Sequence, residues 1–230
     1  MKRVNLQRGK RPIIVVAPHG YHSDDLNTEI ITDVIASELQ AYSIINTGWR
    51  RSSSVNVKMS EANLNSLTHC NVKDCYNEFL HPLLFFKDEC IKLRSKAFVF
   101  YIHGMSNKIR HKTKDKVDLV LGFGQGDPPS YTCSSTYKNA LVTRFREENF
   151  NVYQAKSGGR FAAWNKDNLA QLWRKHFLDD RVMGVQIEIA NIIRNDPKEA
   201  IHTALRMTRA IDKLMRDCTI FPQNIKIKEC

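Results

Sequence analysis

The sequence predicts an α/β protein, a three-layer sandwich in which helices flank a central mixed, mostly parallel sheet. Three observations carry that expectation. Apolar runs of strand length, rich in β-branched residues, recur, unbroken at Ile13–Ala17 and 97–102 and interrupted at Glu188 in Val182–Ala190, as strands buried on both faces require. Between and after them the apolar residues take the helical period, as in Ile30, Ile31, Val34, Ile35 and Leu39, or Ala200, Ala204, Met207, Ile211 and Leu214. The first two runs also end in a histidine followed by glycine, His19-Gly20 and His103-Gly104, at the carboxyl ends where open α/β sheets bind their ligands.

Taken in order, the strand over 13–17 gives way to a polar loop and then to a helix starting at Asn27-Thr28, with Thr28 as its cap. Residues 41–47 read as a second strand, and 52–65 as a polar surface loop. A helical period follows through Phe79, Leu83, Phe86, Cys90 and Leu93, with a kink or break expected at Pro82. The strand over 97–102 comes next, and its pairing beside the first strand in a parallel sheet brings His19 and His103 together. The separation of 84 positions between them leaves ample room for crossover helices. Further on, 117–122 reads as a short strand, 136–148 as a helix and 151–154 as an edge strand. Ser157-Gly158-Gly159-Arg160 is a turn able to carry backbone close to a ligand, with Gly159 at its centre. A short helix over 169–177, the last strand over 182–190 and a long helix over 197–217 complete the chain. With no repeat, low-complexity tract or linker, 1–230 reads as a single domain.

Composition narrows the function classes. No apolar run approaches the roughly 20 residues that span a bilayer, and the short apolar stretch behind the basic N-terminus is no signal peptide, so a cytoplasmic protein without a membrane partner is expected. Cys70, Cys75, Cys90, Cys133, Cys218 and Cys230 form no Cys-x-x-Cys pair, which excludes a zinc ribbon and a dithiol redox motif and leaves free thiols. A formal charge of +11 draws anionic partners, nucleic acid among them, without selecting one. Its densest stretch is 108–116. No Gly-x-Ser-x-Gly elbow is present, which argues against a serine esterase.

The chemistry gathers behind the first strand, at His19, His22, Asp24 and Asp25. A catalytic zinc takes three protein ligands from histidine and carboxylate and keeps a fourth position open, and His19, Asp24 or Asp25, and His103 supply that set. Glu188 interrupts an otherwise apolar strand. An ionisable group there must be paired, protonated or functional, so it is either the salt-bridge partner of an arginine or the general base that takes a proton from water. His69, His81, His111, His176 and His202 have no such setting and read as surface or capping residues.

Five short motifs, in this order, carry a resemblance: His19-Gly20 with Asp24, Asp25, Thr28 and Glu29; the strand ending at His103; Asp118 to Gly122; Ser157 to Arg160; and Val185 to Ile189. The chain thereby resembles the N-formylglutamate amidohydrolase family, which with the poly-γ-glutamate hydrolases is similar to the zinc carboxypeptidases in fold and metal site. The resemblance implies a hydrolase-like α/β fold of the zinc carboxypeptidase kind over 1–230. It implies Zn²⁺ held by His19, the acidic residue of the first loop and His103, with Glu188 as general base and Arg160 against the developing oxyanion. The carboxylate ligand stays open, since counting from His19 favours Asp24 and counting back from Thr28 favours Asp25. Relatives often carry an Asp-x-Asn-Arg pattern whose arginine binds a substrate carboxylate; the matching stretch here, Asn63-Leu64-Asn65-Ser66, has serine in that place. Asn63 and Asn65 remain as substrate contacts, and Arg50, Arg51 and Arg160 as carboxylate binders. The implied substrate is a small acidic N-acyl amino acid or a γ-glutamyl peptide, with a non-catalytic nucleic-acid-binding protein as the alternative.

Overall fold

The computed structural model describes residues 3–21, 24–52, 54, 60–107 and 116–220, the last three without their side chains. His22, His111 and 108–115 of the basic stretch lie outside the described residues. Seven strands form one sheet: β1 (Val4–Gln7), β2 (Ile13–Ala17), β3 (Tyr42–Asn46), β4 (Ala97–Met105), β5 (Leu119–Gly122), β6 (Val152–Gln154) and β7 (Val182–Ala190). Their order across the sheet is β1-β3-β2-β4-β7-β5-β6. The four pairings among β3, β2, β4 and β7, and between β5 and β6, are parallel, while β1 on β3 and β5 on β7 are antiparallel. The sheet is therefore mixed and mostly parallel.

Alternation along the strands divides the core in two. Ile13 and Val15 point to one face, where they join Ile31 and Ile35 of α1 (Thr28–Leu39). The other face takes Ile14 and Val16, packed with Leu67 and Cys70 of α2 (Leu67–Cys70), Leu83 and Phe86 of α3 (His81–Arg94), and Trp173. Leu141 and Phe145 of α4 (Ser135–Glu147) and Ala204, Met207 and Ile211 of α5 (Pro197–Ile220) complete the first face. Helices thus cover both sides, and every strand residue of β2 is buried.

The chain leaves β2 over the first face to β3, then crosses back over the second face through α3 to β4 on the other side of β2. Connections diverging from one point open a crevice at the carboxyl ends of β2 and β4. Both histidines sit there.

Several expectations change. β1 was not legible, because only Val4 of its four residues is buried and an exposed edge needs no apolar alternation. The break expected at Pro82 takes the form of a change of helix type just before it. A π-helical turn, Tyr76–Leu80, precedes it, His81 N–H bonds to Tyr76 O, and Pro82 falls in the first turn of α3, where its missing N–H goes unused. Thr28 is not the cap of α1: Asn27 holds that place in a left-handed conformation, and Thr28 Oγ1 donates to the Asp25 carbonyl at 2.7 Å. The stretch over 169–177 is a 3-10 turn followed by a π-helical turn. The described thiols Cys70, Cys75, Cys90 and Cys133 are free and buried.

Candidate metal centre

His19 stands two residues past the end of β2, and His103 lies within β4, alongside it. Their rings meet edge to face, with centroids 5.0 Å apart. The loop after His19 turns back on itself, since Asp25 N–H bonds to the His19 carbonyl at 3.2 Å while Thr28 holds the Asp25 carbonyl with both its N–H and its hydroxyl. That turn aims the Asp25 carboxylate at both histidines. Asp25 Oδ2 lies 3.3 Å from His19 Nδ1 and 3.5 Å from His103 Nδ1, and it accepts Gly104 N–H at 3.0 Å.

These spacings test whether zinc fits. Four ligands at 2.0–2.1 Å around a tetrahedral ion stand about 3.3 Å from one another, close to both separations, which are long for hydrogen bonds of this kind. The three donor atoms all lie within 4.8 Å of one another, and the three residues are 3%, 5% and 3% exposed. Among the described residues, the buried Nε2 of His103 has no hydrogen-bond partner. The donor set fits a zinc ion. Asp24 is turned away, its Oδ2 accepting Arg51 N–H at 2.7 Å, so only Asp25 of the two adjacent aspartates stands with the histidines.

Electrostatics follow from burial and pairing. Burial alone would raise the Asp25 pKa, but the hydrogen bonds of His103 and His19 outweigh it and hold the carboxyl well below its usual range. Burial lowers His103 to about 4, which leaves at neutral pH the uncharged imidazole that a metal requires. Glu188 lies on β7 directly beside His103 in the parallel register. Burial, followed by the charge of Asp25, pushes its carboxyl up to about 8, against the pull of Gln186, Arg160 and Arg51. Gln186 Nε2 donates to Glu188 at 2.8 Å, and Asn168 donates in turn to Gln186 at 3.0 Å. Sequence reasoning passed over Gln186, though its place two residues before Glu188 puts both on one face of the strand.

Asn63 reaches His19 from the loop after β3. Its Oδ1 is 2.8 Å from His19 Nε2 and also accepts Asn65 N–H, which assigns the proton to Nε2 and leaves Nδ1 free to ligate. His69 is not a surface residue: it is buried, and its Nδ1 accepts Asn63 N–H at 2.8 Å. Asn65 Oδ1 is buried without a hydrogen-bond partner among the described residues. Ser66, at the position where the resemblance implied an arginine, caps α2 and bonds Asp167 at 2.6 Å. Arg50, Arg51 and Arg160 are exposed. The charges of Arg51 and Arg160 act on Glu188, and that of Arg51 also on His103. Gly159 donates its N–H to Lys156 O at 2.9 Å within the turn.

No family model matches the sequence, and comparison with curated proteins gives no match. Solved structures do match. The N-formylglutamate amidohydrolase from Ralstonia eutropha JMP134 aligns with a TM-score of 0.60 at 12% identity, over 94% of this chain and 100% of that one. A bacteriophage poly-γ-glutamate hydrolase aligns at 0.55 with 16% identity, over 94% and 88%. A metallo-carboxypeptidase from Burkholderia cenocepacia aligns at 0.55 with 9% identity, over 94% of this chain and 61% of that one. The chain has the fold of these hydrolases. The resemblance carried by the five motifs and the expected fold class are both met, and at such identities the likeness is one of fold. Among the described residues, no helix is long and apolar enough to cross a membrane.

Proposed function

We propose that the protein is a zinc-dependent amidohydrolase that cleaves the amide of an acidic N-acyl amino acid, of the N-formylglutamate kind, or of a γ-glutamyl peptide. One observation carries the reading. Asp25 Oδ2 stands 3.3 Å from His19 Nδ1 and 3.5 Å from His103 Nδ1, one ligand atom from each of the three residues lies within 4.8 Å of the others, and Glu188 stands beside His103 on the next strand.

In this reading His19, Asp25 and His103 hold the ion. When bound, zinc supplies Lewis-acid polarisation of a carbonyl and acidifies water. Glu188 accepts the proton of the attacking water and delivers it to the leaving amine, a relay that works best with a carboxyl poised near the working pH. Gln186 fixes the orientation of that carboxyl through one oxygen and leaves the other for the proton. Asn63 holds the His19 ring by its far nitrogen. The guanidinium of Arg160 stabilises developing negative charge on the carbonyl oxygen. With serine at position 66, the grip on a substrate carboxylate falls to Arg51 and Arg50, whose bidentate guanidinium suits it.

The test is metal analysis of purified protein together with hydrolysis of N-formyl-L-glutamate and γ-glutamyl peptides, with and without a chelator. Stoichiometric zinc and chelator-sensitive release of amine are expected. A wild-type protein that binds no zinc and hydrolyses none of these amides sinks the reading.

A further inference from the structure

Arg194 follows β7 by a short turn and is 5% exposed. A guanidinium so deep in the protein is unfavourable without good partners. Its hydrogen bonds run inward, to backbone: Nε donates to Ile189 O at 3.0 Å, Nη1 to Leu26 O at 2.5 Å and Nη2 to Met105 O at 3.5 Å. These carbonyls are far apart in sequence but close to the site in a telling way. Leu26 directly follows Asp25, Ile189 directly follows Glu188, and Met105 stands two residues beyond His103. A further bond, Asn27 Nδ2 to the Arg194 carbonyl at 2.8 Å, ties the Asp25 loop to the same residue. Gly104 makes the room, because a Cβ there would lie 2.2 Å from Arg194 Nη2.

We infer that Arg194 is a positioning residue whose guanidinium fork clamps together the loop of Asp25, the end of β4 that carries His103, and the strand of Glu188. The inference rests on the proposed function for the roles of those three side chains, and not for the clamp itself. Arginine suits the task because its five N–H groups are planar and fixed in direction, so one side chain sets several carbonyls at once. A lysine keeps the charge and loses the fork. Metal ligands need to be held within about half an ångström of their working geometry, and the loop after β2 has no ladder of its own to do so.

Two variants test the clamp, Arg194→Lys, which keeps the charge, and Gly104→Ala, which keeps Arg194 and displaces its guanidinium. Hydrogen exchange on chelated protein reads the clamp without metal, and a zinc titration against a chelating indicator reads its consequence. Residues 24–28, 103–105 and 189–194 are expected to lose protection together, and zinc affinity to fall about tenfold or more, as for other residues that orient ligands from behind. Faster exchange confined to 189–194 in both variants, or zinc affinity held at the wild-type value in both, overturns the inference. Should the wild type bind no zinc while the three segments loosen together, the proposed function fails and the clamp stands.

Discussion

Replacing Glu188 by glutamine separates what the carboxyl does for chemistry from what it does to stability. Burial and the neighbouring Asp25 raise its carboxyl from 4.5 to about 8, so the folded state binds this proton more tightly than the unfolded chain does. The stability contributed is therefore full below about pH 4.5 and is lost as the pH rises through about 8. At about 1.4 kcal/mol per pH unit of pKa difference, the whole loss is about 5 kcal/mol. Between about pH 5.5 and about pH 7.5 the metal-free wild type should lose roughly 2 to 3 kcal/mol from this group alone. Glu188→Gln removes the titration and keeps an oxygen to accept from Gln186. Urea unfolding in the presence of a chelator should then show the variant gaining on the wild type as the pH rises. In zinc-loaded protein the same change should leave metal content intact and lower kcat/KM by about 10² to 10⁴, or roughly 3 to 5 kcal/mol of barrier. Parallel pH dependences of unfolding in the two proteins, or hydrolysis at the wild-type rate, refute the reasoning.

Three further outcomes are expected. His19→Ala and His103→Ala should each weaken zinc binding at least about a hundredfold, since two ligands remain; retention of one zinc per chain through dialysis against a chelator contradicts the ligand assignment. Asn63→Ala should weaken zinc binding by about 10- to 100-fold through the freed His19 ring, with little change in the melting curve; an unchanged affinity argues against that role. Glu148, at the end of α4, accepts from Arg209 at 2.7 Å and from Lys213 at 2.8 Å on α5. Burial raises its carboxyl, but these bonds outweigh burial and hold it below its ordinary value, so its stabilisation is present above the unfolded carboxyl pKa and fades as the pH falls. Glu148→Gln should lose about 1 kcal/mol at neutral pH and progressively less in acid. An equal loss at both extremes of a urea-unfolding series contradicts the pairing.

Much of the framework was legible because burial leaves a periodic signature. The runs at 13–17 and 97–102 are buried on both faces and hence continuously apolar, 182–190 is apolar except around Gln186 and Glu188, and α1 and α5 show their apolar stripes. Elements that bury little escaped. β1 lies within the basic N-terminal stretch and shows no strand pattern of its own, and β5 gives no hint in its sequence that it runs against β7. His69, His19 and His103 look alike as isolated letters; what distinguishes them is the company that the sheet order brings.

The sequence by itself determined that a buried strand ends in His19, that another carries His103, and that Glu188 sits inside a third, because local apolar patterning decides which side chains leave water. The tertiary structure alone decided that β4 lies between β2 and β7, setting His103 beside Glu188, and that Asp25 rather than Asp24 faces the histidines. It alone joined Asn63 to His19 and Arg194 to the distant carbonyls of Leu26 and Met105. These depend on strand order and on the direction of one turn of backbone, quantities with no period along the chain, fixed only when segments far apart in sequence pack against one another.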